Sequence, residues 1–136
     1  MKISSLATVA RCAGAGLVRG SHSIPIQKVI FDSREATAGS LFVALEGVQH
    51  HGIDFAVDAL KRGAAAVLCD PGLSRHHDGP SLEAPSALEA LSSLARGYRQ
   101  QDRHQTPALA VTGSVGKTTT CCMIHDLLAA THRVHA

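Results

Sequence analysis

The stretch GSLFVALEGVQHHGIDFAVDALKRGAAAVLC, residues 39–69, decides the class of fold. Its first apolar run, residues 41–45, predicts a short buried strand. After a polar loop, residues 55–62 place their apolar side chains on one helical face, and Gly63 is a typical helix end. A second apolar strand follows at residues 64–69. Strand, helix and strand in succession predict an α/β fold.

Two further helices are predicted around this stretch. Residues 6–13 have helical apolar spacing, with Ser4 or Ser5 as the cap, and Gly14 and Gly16 are expected to end the helix. A second helix runs from the cap Ser86 to about residue 101, and its predicted apolar stripe consists of Leu88, Leu91, Leu94, Ala95 and Tyr98. Only 3% of all residues are aromatic, so the core must be built from Ala, Val, Leu and Ile, which suit helices packed closely on a sheet.

The remaining segments of the first hundred residues are predicted from apolar content and turn residues. Residues 24–31 contain an apolar run that predicts a strand leading into Asp32-Ser33-Arg34. Residues 72–85 are rich in Gly, Pro, Ser and His, which predicts an exposed loop. Residues 102–107 are predicted to form a linker between two units.

After the linker the pattern changes to a strand, a loop and a helix. Residues 108–111 predict a strand, residues 112–117 a glycine-containing loop, and residues 118–130 a helix. Residues 133–136 resemble the beginning of another strand. The predicted boundary between the two domains therefore falls between residues 104 and 105.

Composition excludes several classes of function. A hydrophobic fraction of 45% with 18% charged residues argues against a disordered tail. The net charge is +2 and the Lys and Arg residues are scattered, which argues against nucleic-acid binding. Arg11 and Arg19 interrupt the apolar residues near the start, so neither a signal peptide nor a membrane helix is predicted. We therefore expect a soluble, cytoplasmic protein.

Cysteine and histidine residues do not form a recognisable metal site. The four cysteines, Cys12, Cys69, Cys121 and Cys122, contain no C-x-x-C pair. We expect them to be buried or half-buried free thiols. The nine histidines show no metal-ligand spacing, and the pair His76 and His77 is expected to be solvated.

The strongest chemical motif is VTGSVGKTT, residues 111–119. A loop between a strand and a helix can point several backbone N–H groups at phosphate oxygens. Gly113 and Gly116 permit the required backbone angles. Lys117 would reach the β- and γ-phosphates of ATP, and the Thr118 hydroxyl would bind Mg²⁺. Val111 stands where the full G-x-x-x-x-G-K-[ST] pattern has its first glycine.

This loop resembles the nucleotide loop of the Mur ligases, which also lacks that first glycine. A second match lies upstream, in order: Asp32-Ser33-Arg34, then GSLFVALEG at residues 39–47, GIDF at 52–55 and GAAAVL at 63–68. The resemblance implies a small mixed α/β substrate-binding domain, residues 1–104, that holds a UDP-muramoyl peptide. It also implies that residues 105–136 form the first β-loop-α of a P-loop ATP-binding domain, which is incomplete in this chain.

The resemblance also assigns residues to the two ligands. ATP would be held by Gly113, Ser114, Val115, Gly116, Lys117, Thr118 and Thr119, with Lys117 as the catalytic residue and Thr118 as the Mg²⁺ ligand. The UDP end of the precursor would be held by Ser33, Arg34, Gly47, Gln49 and His50. The hydroxyl and the guanidinium can supply donors to uracil or pyrophosphate oxygens. The alternative for Asp32-Ser33-Arg34 is a turn with a local Asp–Arg pair, which we favour for Arg34.

Within the family, the chain is most similar to the ligase that adds D-alanyl-D-alanine to UDP-N-acetylmuramoyl tripeptide in peptidoglycan precursor synthesis. ATP would phosphorylate the peptide carboxylate, and the amine of D-alanyl-D-alanine would displace phosphate. The alternative is the ligase that adds the third amino acid to UDP-N-acetylmuramoyl-alanyl-glutamate. In either case we expect a monomer that is inactive as this chain alone, because later carboxylates for Mg²⁺ and the adenine pocket are absent.

Two other classes of function remain as alternatives. One is a non-catalytic module that binds a UDP-sugar or a nucleotide. The other is a small P-loop kinase or NTPase, which is disfavoured because no Walker B strand follows the loop.

Overall fold

The computed structural model describes residues 4–100 and 107–134. The chain divides into two compact units, Met1–Arg103 and His104–Ala136. The functions assigned to the two predicted domains remain predictions, and each unit is described by itself below.

The first unit is built on a five-stranded sheet and a smaller two-stranded one. Its strands are β1 (Ser4–Ser5), β2 (Gly16–Arg19), β3 (Pro25–Ile26), β4 (Lys28–Ile30), β5 (Ser40–Val43), β6 (Ala66–Cys69) and β7 (Ser81–Glu83). The larger sheet has the order β2-β7-β6-β5-β4, and β1 pairs with β3. Strands β4, β5, β6 and β7 all run parallel to one another, whereas the edge strand β2 is antiparallel to β7. The predicted α/β class is confirmed.

Three helices cover this sheet: α1 (Leu6–Ala13), α2 (Ala56–Lys61) and α3 (Ala87–Gln100). The predicted cap Ser5 accepts a hydrogen bond from the backbone N–H of Thr8 at 3.3 Å. The predicted cap Ser86 accepts one from Glu89, also at 3.3 Å. Helix α1 ends at Gly14 with φ 63°, a left-handed conformation that glycine adopts at little cost. A 3₁₀ turn, Gly52–Phe55, precedes α2.

Alternate residues of the central strands face two separate apolar cores. On one side, β5 and β6 contribute Leu41, Val43, Ala66 and Leu68 to the core that contains residues of α1 and α3. On the other side, the core that contains residues of α2 includes Phe42 of β5, Ala44 directly after that strand, and Val67 and Cys69 of β6. Strands buried on both faces carry continuous apolar sequence, which is why the sequence predicted β5 and β6 correctly.

The prediction of an exposed loop at residues 72–85 is wrong. This segment contains a 3₁₀ turn, Leu73–His76, and strand β7, which lies between β6 and β2. Leu82 is 0% exposed. Only three residues form β7, so its stability comes from pairing on both sides and not from a local pattern. Its partner β2 was also not predicted. This strand begins at Gly16, which was interpreted only as part of a helix end.

Two other predicted elements differ in detail. The strand predicted over residues 24–31 is divided into β3 and β4, which belong to different sheets. On α3, Leu88 and Tyr98 are 62% and 58% exposed, and Ala95 is exposed as well, so these three do not belong to an inward stripe. Leu91 and Leu94 are partly buried against the core, as predicted. Ala87 and Ala90 are buried instead. Small side chains permit close approach between α3 and α1, and this rotates the buried face away from Leu88.

The second unit contains one described helix, α4 (Lys117–Ala129), close to the predicted bounds. The strand predicted at residues 108–111 is not formed within the described residues. A strand requires a hydrogen-bonded neighbour, and none of the described segments supplies one. Residues 133 and 134 are not in a strand either, while residues 102–106, 135 and 136 lie outside the described part of the chain.

The cysteines differ in exposure between the two units. Cys69 is buried and Cys12 is half-buried, as predicted. Cys121 and Cys122 on α4 are exposed, so the prediction is wrong for them. Burial raises the pKa of the Cys69 thiol to about 12, which keeps it protonated and unreactive.

Candidate functional site

The predicted substrate residues lie at one edge of the parallel sheet. Ser33 and Arg34 follow the carboxyl end of β4, and residues 47–50 follow that of β5. Strands β4 and β5 are parallel neighbours, with Ile30 opposite Phe42. Ligands of open α/β sheets bind beyond the carboxyl ends of the strands. The architecture therefore brings the five predicted residues to the edge where such a site is expected.

Ser33 is held by a side chain that the sequence analysis did not identify. It begins a 3₁₀ turn, Ser33–Glu35, and is 7% exposed. Its hydroxyl donates to Asp58 Oδ2 of α2 at 2.9 Å. The same oxygen accepts a hydrogen bond from Arg62 Nε at 2.8 Å. Asp58 therefore connects the turn after β4 to helix α2.

Arg34 forms the local ion pair that the sequence analysis favoured for it. Asp32 accepts a hydrogen bond from the backbone N–H of Arg34 at 2.9 Å. The guanidinium adds contacts to both carboxylate oxygens, of which the shortest is Nη2 to Oδ2 at 2.6 Å. The Arg34 side chain is nevertheless 81% exposed. It can therefore keep its pairing with Asp32 and still present N–H groups to a ligand.

We expect Arg34→Gln to raise the pKa of the Asp32 carboxyl. Hydrogen bonds from Arg34 lower that pKa from 3.8 to about 2. Because the folded value lies below the ordinary one, the ion pair stabilises the fold fully above pH 3.8, and this contribution disappears as the pH falls towards 2. A carbon-13 NMR titration of the side-chain carboxyl should show the Arg34→Gln value returning towards 3.8.

Lys28→Gln is the matched control for this titration. Lys28 pairs with Glu35 at 3.6 Å and is not among the groups that shift Asp32. An Asp32 pKa that rises equally in both variants would contradict the assignment of the shift to Arg34.

The loop after β5 is a tight turn that exposes its central side chains. Glu46 and His51 form an antiparallel bridge, and the Gly47 N–H donates to the His50 carbonyl at 3.1 Å. A Cβ atom at Gly47 would lie 2.6 Å from that carbonyl oxygen, so the turn requires glycine. Gln49 is exposed at its tip. The turn thus presents the predicted binding residues to solvent at the sheet edge.

Aromatic and polar contacts lie beside this turn. The rings of His50 and Phe55 meet edge to face with centroids 6.2 Å apart. His51 Nδ1 accepts from the Ile53 N–H at 3.1 Å, and its Nε2 lies 3.8 Å from Asp70 Oδ2. Asp70 Oδ1 also accepts from the N–H of Ala87 at 2.7 Å. Asp70 therefore contacts both His51 and the start of α3. The only sign of these contacts in the sequence was that Asp70 directly follows a predicted strand.

His77 does not have the environment that the sequence predicted. It is 4% exposed, and neither ring nitrogen has a hydrogen-bond partner within the described residues. Its carbonyl accepts from Arg19 Nη1 at 2.6 Å. Burial lowers the pKa of His77, which favours the neutral ring. The prediction of a solvated side chain is confirmed for His76, which is exposed, and is wrong for His77, because the turn before β7 folds inward.

The predicted phosphate loop is a glycine-containing turn that leads into α4. Gly113 and Gly116 have φ values of 142° and 79°, which L side chains rarely adopt. Lys117 is the first residue of α4, and its Nζ donates to the Gly113 carbonyl at 2.6 Å. The Thr120 N–H already bonds to the Gly116 carbonyl at 2.9 Å. The lysine ammonium is thus folded back across the loop.

These features fit an anion of the ATP type. The two glycines leave no Cβ where phosphate oxygens would approach, and the helix amino terminus favours negative charge. Ser114, Thr118 and Thr119 are exposed, as is Val115. The Thr118 hydroxyl, predicted to be the Mg²⁺ ligand, is therefore accessible from solvent. Within the described residues, no group of three or more His, Cys, Asp or Glu side chains is placed to hold a metal ion.

Comparison with known proteins identifies the family. A profile described as "Mur ligase family, catalytic domain" matches residues 25–99, more than half of the chain. The chain belongs to the Mur ligase family. Mur ligases are ATP-dependent ligases.

Relatives by sequence include two kinds of Mur ligase. A UDP-N-acetylmuramoyl-L-alanyl-D-glutamate--2,6-diaminopimelate ligase from Cytophaga hutchinsonii is 31% identical over 112 residues, which is 81% of this chain and 23% of that protein. A UDP-N-acetylmuramoyl-tripeptide--D-alanyl-D-alanine ligase from Bacillus subtilis is 35% identical over 128 residues, which is 89% of this chain and 28% of that protein. The chain spans about a quarter of the length of these curated relatives.

Solved Mur ligase structures share the fold. MurF from Acinetobacter baumannii has a TM-score of 0.84 at 23% identity, covering 96% of this chain and 28% of that one. MurF from Thermotoga maritima, in complex with ADP, has a TM-score of 0.69 at 29% identity, covering 80% and 25%. No helix among the described residues is long and apolar enough to cross a membrane.

Proposed function

We propose that this chain is the substrate-holding and first nucleotide-binding portion of a Mur ligase that adds D-alanyl-D-alanine to UDP-N-acetylmuramoyl tripeptide. The observation that carries the proposal is the joint presence of two sites. Ser33, Arg34 and the turn at residues 47–50 lie at the carboxyl edge of the parallel sheet. The positive-φ loop with Lys117 at its helix start provides the phosphate site.

The division of labour follows from these two sites. The sheet edge would hold the UDP end of the precursor. The loop amides and the Lys117 ammonium would stabilise charge on the phosphoryl group that ATP transfers to the peptide carboxylate. Mg²⁺, held in part by Thr118, would neutralise phosphate charge. The amine of D-alanyl-D-alanine would then displace phosphate and form the amide.

The second candidate is the ligase that adds the third amino acid to UDP-N-acetylmuramoyl-alanyl-glutamate. The relatives that add 2,6-diaminopimelate favour it, while the Bacillus subtilis relative that adds D-alanyl-D-alanine and the Thermotoga maritima MurF structure favour the first candidate. Both candidates share the UDP end of the precursor. The two candidates therefore differ in the amine that is added. A ligase assay of a polypeptide extended to the length of the relatives, with each amine supplied in turn, distinguishes them.

We expect the 136-residue chain to bind UDP-N-acetylmuramoyl tripeptide without turning over ATP. Ser33→Ala should weaken this binding about 5- to 15-fold, because one hydrogen bond contributes about 1–1.5 kcal/mol. Isothermal titration calorimetry measures both values. Ser92→Ala is the matched control, because Ser92 is exposed on α3 and donates to its own helix carbonyl at Leu88.

Three results would count against this proposal. Absence of heat and of NMR chemical-shift change with the precursor would remove precursor binding by this chain. An equal loss of affinity in Ser33→Ala and Ser92→Ala would remove Ser33 from the site. ATP-dependent amide formation by the chain alone would show that it is more than a portion of the catalyst.

A further inference from the structure

The hydrogen-bonding capacity of the Ser33 hydroxyl is partly used inside the protein. A serine hydroxyl has one proton to donate and two lone pairs that accept. Ser33 donates its proton to Asp58 Oδ2 at 2.9 Å. What remains for any external group is the acceptor capacity of Oγ.

The direction of this bond is set by the charge on Asp58. Arg62, one turn further along α2, donates to the same carboxylate oxygen at 2.8 Å. The hydrogen bonds from Arg62 and then Ser33 lower the pKa of Asp58, so the group is ionised at neutral pH. An ionised carboxylate only accepts hydrogen bonds. Ser33 must therefore be the donor in this pair.

We propose that Asp58 is a positioning residue that commits the Ser33 hydroxyl to accept from the ligand, so that Ser33 recognises the imide N–H of a uracil base and not a phosphate oxygen. The inference rests on the proposed function, because it takes Ser33 to face the UDP end of the precursor. Phosphate oxygens only accept hydrogen bonds. A phosphate oxygen facing Ser33 Oγ would therefore have no proton to accept, and both atoms would be left unpaired. In this proposal Ser33 has an acceptor role, in place of the expected donor role towards uracil or pyrophosphate oxygens.

The test compares uridine diphosphate with cytidine diphosphate, which share the ribose and the phosphates. Cytosine replaces the imide N–H by an unprotonated nitrogen, which is an acceptor. Titrations followed by NMR chemical shifts should show the wild-type chain binding uridine diphosphate about 10-fold more tightly, the effect of one mismatched hydrogen bond. In Asp58→Ala the Ser33 proton is free to turn towards the ligand, and the preference should fall below about 3-fold.

Asp54→Ala is the matched control for Asp58→Ala. Asp54 is an exposed acid in the 3₁₀ turn that leads into α2, and its removal changes the net charge equally. This variant should keep the 10-fold preference. Ser33→Ala should lose it, which provides a second variant should Asp58→Ala fail to fold by circular dichroism.

A ligand-free measurement separates this inference from the proposed function. The carbon-13 titration of the Asp58 carboxyl should show a higher pKa in Ser33→Ala than in the wild type, because one of the two hydrogen bonds that lower it is lost. An unchanged Asp58 pKa overturns the inference alone. The inference is also overturned if the wild-type chain binds uridine diphosphate but does not prefer it to cytidine diphosphate, or if Asp58→Ala keeps the full preference. A wild-type chain that binds neither nucleotide, with the pKa shift present, overturns the proposed site itself.

Discussion

Replacing Lys117 with Ala, in a polypeptide extended to the length of the relatives, is expected to lower kcat/KM for ATP-dependent amide formation by at least about 100-fold. The loss of one preorganised charged donor at a transferring group costs about 10²–10³ in rate. Lys117 is placed for this role because it begins α4 and its ammonium already spans the glycine loop to Gly113. The measurement is the steady-state rate of phosphate release with the muramoyl-peptide precursor and the amine.

Lys28→Ala is the control for this experiment. Lys28 is a half-exposed lysine of β4 whose ion pair with Glu35 spans 3.6 Å, and such surface pairs contribute little. Its activity should stay within about 2-fold of the wild type. Retention of ATP affinity and ligation by Lys117→Ala would remove the phosphate-loop interpretation.

The second large effect is expected in the free energy of unfolding, where two Leu→Ala substitutions should differ strongly. Leu82→Ala should reduce the free energy of unfolding by about 2–5 kcal/mol, because Leu82 is 0% exposed in β7 and its truncation leaves a cavity. Leu88→Ala on α3 should change it by no more than about 0.5 kcal/mol, because that side chain is 62% exposed.

Urea unfolding followed by circular dichroism measures both variants, since the chain contains no Trp for fluorescence. The sequence alone predicted the reverse order, with residue 82 in a loop and residue 88 in the apolar stripe of a helix. Similar losses in the two variants would contradict the placement of β7 inside the sheet and the orientation of α3.

Candidate site residues could be predicted from the sequence where they lie next to one another along the chain. The Gly-Lys-Thr loop and the Asp-Ser-Arg turn occupy consecutive residues, so their chemistry can be inferred without a fold. Asp58 could not be inferred, because it meets Ser33 from 25 residues away through the packing of α2. The same holds for Asp70, which lies beside His51 only because β5 and β6 are neighbours.

What the sequence by itself determined is the set of elements whose causes are local. The apolar runs of β5 and β6, the serine caps of α1 and α3, the glycine end of α1 and the positive-φ loop before α4 all follow from residues within a few positions of one another. These elements, together with the upstream motif, were enough to predict the α/β class and the family.

Only the tertiary structure decided where short or ambiguous segments lie. Strands β2 and β7 are held by pairing with neighbours distant in sequence, α3 turns its alanines inward because α1 lies against it, and the Ser33 proton points to Asp58 because α2 brings a carboxylate there. The physical reason is common to all three. A three-residue strand, a helix with two apolar faces and a freely rotating hydroxyl each have several local states of similar energy, and contacts made across the fold select one of them.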